Sequence, residues 1–181
     1  MALLLSCGGS SIHPNRLQPS KPTIMEQERS IPTAVGTLIV SSPAFSPMGF
    51  IPQKYTCDGA DINPRLDIAG IPAAAKCLAL IVDDPDAPRG VWDHWIVWNI
   101  PPKGQIAENT APGIEGLNDF GKHRYGGPCP PGGIHRYFFK VYALDQLLNL
   151  PATTRKSGLE KAMEGHILAK GELVGKYRRS F

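Results

Sequence analysis

The sequence predicts a mainly β, loop-rich single domain with one helix near its C-terminus, and three observations carry that expectation. The chain has 181 residues and is 42% hydrophobic, enough to bury one core and better suited to one domain than two. Its 18 prolines and 19 glycines are scattered between apolar runs without a repeat, which argues against a helical bundle. The apolar runs are short and bounded by Pro, Gly, Asp and Asn, the punctuation of strands and turns.

Taken in order, residues 1–36 are rich in Ser, Pro and polar side chains with no sustained period, and read as an arm or linker. Within them Leu4-Leu5-Ser6-Cys7-Gly8 resembles a bacterial lipoprotein cleavage box, but the basic leader and apolar segment of ~7–15 residues that a signal needs do not precede it. Two expectations follow: an upstream start that would make a periplasmic lipoprotein attached through Cys7, or a cytoplasmic protein with a polar arm. No stretch approaches the ~20 apolar residues of a membrane-spanning helix, so any membrane attachment is by lipid.

The domain is expected over residues 37–181. Strand-like runs occur at TLIVSS (37–42), RLDIAG (65–70), CLALIV (77–82), WIVWNI (95–100) and HRYFFKVYAL (135–144). From Thr154 the spacing changes: Leu159, Met163 and His166-Ile167 recur at three- and four-residue intervals, which predicts one C-terminal helix capped by Thr154 or Ser157. GELVGKYRRSF is a candidate last short strand. Its KYRRSF end, too small a basic cluster to form a nucleic-acid stripe, reads as a solvated tail.

The net charge of +3 is small, so no nucleic-acid partner is expected. The four cysteines (Cys7, Cys57, Cys77, Cys129) form no C-x-x-C pair and no zinc spacing. Cys77 reads as a small buried hydrophobe, and the spacing leaves open whether Cys57 and Cys129 meet.

Most of the unusual chemistry lies in two segments. The first, DDPDAPRGVWDHW (residues 83–95), puts Asp83, Asp84, Asp86 and His94 at the ends of two apolar strands. The second, NDFGKHRYGGPCPPGGIHRYFF (residues 118–139), contains GGPCPPGG, a stiff loop whose glycines let backbone N–H groups turn toward a ligand as an anion nest. Each piece alone has a plainer reading. Asp-Pro-Asp-Ala-Pro makes a turn with side chains bonding local backbone. His135 is a strand residue with a satisfied ring, and the Trp92, Trp95, Trp98 spacing is core and rim packing. His123 and Tyr125 sit in a loop.

Together and in this order, D-P-D-A-P (residues 84–88), H-W (94–95), Y-G-G-P (125–128) and G-x-H-R-Y-F-F (133–139) resemble the phosphatidylethanolamine-binding protein family, also called Raf kinase inhibitor protein-like, in its compact bacterial and archaeal branch. The resemblance spans about residues 37–181. It implies a Greek-key, β-sandwich-like fold with a C-terminal helix and a small pocket at one end. By position Asp84, Asp86, Pro88 and His94 match one half of that pocket, and Gly127, Pro128, His135 and Tyr137 the other. It also makes Ala87–Pro88 a candidate cis peptide. Some eukaryotic members close the pocket with a C-terminal helix bearing an aromatic, and the KYRRSF ending is too short for that role.

A carboxylate bonded to an imidazole favours the protonated ring, so Asp84 or Asp86 is expected to hold His94 or His135 positive. With the Tyr137 hydroxyl and N–H groups near Gly127, this makes a site for one phosphate-like group: a phospholipid head group, a phosphorylated metabolite or a phosphorylated side chain. The expected function is a non-catalytic binding module with no cofactor and no metal, with the regulation of signalling proteins as one use of such a module. The alternatives are an inhibitor that meets a kinase or protease through its surface, and a hydrolase or metal protein using the Asp and His groups. No G-x-S-x-G, H-E-x-x-H or P-loop pattern supports the last.

Overall fold

The computed structural model describes residues 34–179; the lipoprotein-like box at residues 4–8 and the rest of the arm lie outside them. Two sheets face each other. The larger has six strands in the order β1 (Gly36–Thr37), β9 (Ile167–Tyr177), β8 (His135–Leu144), β4 (Cys77–Asp84), β5 (Trp92–Ile100) and β7 (Ile114–Glu115). The smaller is antiparallel, in the order β2 (Ile39–Ser41), β3 (Leu66–Ala69) and β6 (Gln105–Ile106). In the larger sheet β4, β5 and β7 are consecutive neighbours and β8 returns beside β4, which is a Greek key.

Alternation along each strand builds two cores. Leu78, Leu80 and Val82 of β4 join Trp95 and Val97 of β5, and Tyr137, Phe139 and Val141 of β8, against Val40, Leu66, Ile68 and Ile106 of the smaller sheet. Cys77, Ala79 and Ile81 point the other way, onto Ile96, Trp98, Leu148 and the helix α1 (Lys156–Met163). β4 is therefore buried on both faces, which explains its unbroken apolar run.

The C-terminal third corrects the sequence reading. α1 has only eight residues, and of its apolar stripe only Leu159 and Met163 are buried; its N-cap is Arg155 with no side-chain cap, not Thr154 or Ser157. Gly165, at φ +78°, ends the helical path, and His166-Ile167 lie beyond it. The candidate short strand is the eleven-residue β9, paired along its length with β8. Lys176 and Tyr177 close that strand: the Tyr177 hydroxyl donates to Asp58, which also pairs with Arg179, so this stretch is anchored and not a solvated tail.

Candidate functional site

The end of β4, the start of β5 and the start of β8 lie side by side at one end of the larger sheet. Strand parity sends the neighbours Asp83 and Asp84 to opposite faces. Asp83 turns toward α1 and pairs with Lys140 at 2.8 Å and with Lys156, which also reaches Asp93 at 3.2 Å. Asp86 accepts from the Arg136 guanidinium at 2.7 and 2.9 Å and from the Arg136 backbone N–H at 2.9 Å. The Arg136 hydrogen bonds hold its pKa down at about 2. Of these three carboxylates, only Asp84 lines the neighbouring cavity.

That cavity has a volume of about 210 Å³ and brings together Asp84, Pro88, His94 and His135. Asp84 Oδ2 accepts from His135 Nδ1 at 2.7 Å, and its Oδ1 accepts from the Asp86 backbone N–H at 2.8 Å, closing a local turn. The peptide Ala87–Pro88 is trans, since no cis bond occurs among the described residues; the turn is closed instead by Gly90 N–H donating to the Ala87 carbonyl.

His94 owes its position to a β-bulge. Val82 faces Trp95 and Asp83 faces Asp93, so β5 carries His94 as an extra residue between them. Its Nδ1 donates to the Gly126 carbonyl at 2.6 Å, and its ring meets Phe120 and Tyr137 edge-on, each at 5.2 Å. Burial pushes the His94 pKa below the ordinary imidazole value, outweighing the Gly126 bond and the charges of Asp84, Asp61 and Asp83. Burial thus works against the expected positive ring at His94, whose Nδ1 faces a carbonyl and not a carboxylate.

The remaining predicted residues stand behind the cavity wall. The Gly127 N–H donates to Asp61 at 2.6 Å and the Gly126 N–H to the His94 carbonyl at 3.1 Å, so neither is free to form the expected nest. A Cβ at Gly127 would lie 2.5 Å from the Tyr55 carbonyl oxygen, so glycine is needed there for close packing. Pro128 is buried and accepts from the Cys57 N–H. The Tyr137 hydroxyl is buried, and burial followed by the Asp84 charge raises its pKa well above the usual phenol value.

The sequence reading missed Ala87, Trp92, Phe120, Cys129, Pro130 and Pro131 as lining residues. All fall inside the two segments it singled out, but their apolar character pointed to packing. Cys129 is bonded to Cys57 across 72 residues, fastening the wall to a distant turn. The Trp92 Nε1–H is buried without a partner. A second hollow, of about 260 Å³, lies near Asp61, Asn63 and Arg124, but its polar groups are largely engaged with one another and with backbone.

A family model described as phosphatidylethanolamine-binding protein matches residues 41–178. A UPF0098 protein of Methanothermobacter thermautotrophicus is 49% identical over 144 residues, covering 75% of this chain and 95% of that protein. Another from Pyrococcus abyssi is 53% identical over 154 residues, covering 78% and 86%. Among solved structures, a phosphatidylethanolamine-binding protein homologue from Chlamydia trachomatis superposes with a TM-score of 0.77 at 42% identity, over 80% of this chain and 99% of that one. Escherichia coli YbcL, described as a member of the mammalian family, gives 0.74 at 27% identity, over 80% and 100%.

Proposed function

Because this chain belongs to the phosphatidylethanolamine-binding protein family, we propose that it is a non-catalytic binding module whose cavity takes one small phosphate-like anion. The observation that carries this reading is the pairing of two imidazoles in one small cavity, each held by its Nδ1 and each with Nε2 left for a ligand. At about 210 Å³ the cavity is smaller than the ~300–1,000 Å³ of drug-sized sites, and it suits a head group better than a whole lipid.

The lining supports binding over catalysis. It contributes no hydroxyl, and its one cysteine, Cys129, is held in a disulfide, so it offers no hydroxyl or thiol nucleophile. Among the described residues, no group of three or more His, Cys, Asp or Glu side chains is arranged to hold a metal ion. The walls of Pro88, Trp92, Phe120, Pro130 and Pro131 put apolar surface around the polar floor.

Calorimetric titration of the protein with inorganic phosphate tests the reading. Saturable binding at one site, weakened at least about tenfold in His135→Ala, is expected from loss of a charge-assisted or buried hydrogen bond. Absence of saturable binding to the wild-type protein rejects it.

A further inference from the structure

His94 offers a ligand one defined hydrogen-bonding role. The Gly126 carbonyl can only accept, so the 2.6 Å contact requires a hydrogen on His94 Nδ1. The ring is 3% exposed, and burial disfavours a second proton on it. Its Nε2 therefore presents a lone pair.

A ligand that satisfies this nitrogen needs a hydrogen that it can give. Resting on the anion reading above, we propose that the cavity selects tetrahedral oxyanions that carry a hydrogen, inorganic phosphate and phosphate monoesters, over sulfate and phosphodiesters, which carry none. An oxyanion without a hydrogen turns a lone pair toward His94 Nε2 and leaves that nitrogen unsatisfied in a buried site. Charge alone orders the ligands differently, placing doubly charged sulfate ahead of singly charged phosphate.

The test is calorimetry on the full chain with four probes: phosphate, sulfate, methyl phosphate and dimethyl phosphate. At about pH 5.5 a monoester retains its proton, since its second pKa is about 6. Methyl and dimethyl phosphate then carry the same single charge and differ in the hydroxyl. Methyl phosphate stands for a phosphorylated metabolite and dimethyl phosphate for the diester of a lipid head group.

Phosphate and methyl phosphate are expected to bind at least about tenfold more tightly than sulfate and dimethyl phosphate, toward the ~10⁴-fold discrimination of a site built around a substrate hydroxyl. In His94→Gln, whose amide can turn either its oxygen or its NH₂ to the ligand, each ratio is expected to fall to within about threefold. The wild-type series decides the matter if that variant does not fold. Equal affinity for methyl and dimethyl phosphate, sulfate binding as tight as phosphate, or discrimination unchanged in a folded His94→Gln overturns the selection by His94 while leaving an anion site in place. Failure of all four probes to bind rejects the anion reading itself.

Discussion

Asp84 Oδ2 and His135 Nδ1 lie 2.7 Å apart, although 51 residues separate them, and their side chains are only 5% and 8% exposed. The carboxylate fixes the ring's orientation while its other oxygen holds the Asp86 turn, so one side chain organises both halves of the cavity.

Asp84→Asn keeps the shape and removes the charge from this buried contact. It is expected to cost roughly 1–3 kcal/mol of stability and to weaken phosphate binding. Urea unfolding and phosphate calorimetry check the two effects. An unchanged midpoint and affinity would show that the contact organises nothing.

His94 gives a pH signature. Its folded pKa lies below the ordinary value of about 6.5, so the unfolded chain binds the proton more tightly, and this contribution to stability is lost as pH falls below about 6.5. The slope from one such group is at most about 1.4 kcal/mol per pH unit. Stability curves of wild-type protein and His94→Gln should converge as the pH is lowered through that window; parallel curves would contradict the prediction.

Asp86 acts lower on the scale. Its folded pKa of about 2 means that the stability it supplies is present above the unfolded value of about 3.9 and is lost between about 4 and 2. Arg136 is half exposed, so solvent screening reduces the contribution to no more than about 1 kcal/mol. Acid denaturation of Asp86→Asn should show a smaller loss over that interval than the wild-type protein does.

The Cys57–Cys129 disulfide closes a span of 72 residues. Chain-entropy arguments for a loop of this length give about 4 kcal/mol, and its loss is expected to cost about 2–5 kcal/mol. Thermal unfolding of Cys57→Ser/Cys129→Ser measures this. Because Cys129 also lines the cavity, phosphate affinity should fall in the same variant.

How much is legible in the sequence depends on what each residue type can signal. The ten residues of β8 are legible with their observed bounds because His135, Tyr137, Phe139 and Val141 alternate with less buried side chains. β9 is not, because two of its positions on the core-facing register are Gly171 and Gly175. A Cβ there would lie 2.2 Å from the Leu38 carbonyl oxygen and 2.5 Å from Ile51, respectively, so close packing forbids the side chains that would have revealed the alternation. Asp84, His94 and His135 are legible as a group through their motifs, whereas the single-residue bulge that aims His94 leaves no local pattern. The separate fates of Asp83 and Asp86 depend on Lys156 and Arg136, which lie far along the chain.

The parallel pairing of β1 with β9 also orders events in time. Gly36 lies opposite Ala169, and the Leu38 N–H donates to the Lys170 carbonyl. During synthesis at ~5–20 residues per second, the earlier strand must wait on the order of ten seconds for its partner to be made. β8 emerges before β9, so the three strands that carry Asp84, His94 and His135 can assemble while that edge of the sheet is still open. Closure of the edge is then a late step, and a ribosome paused just before residue 169 would hold a chain with its cavity residues already made but β1 still unpaired.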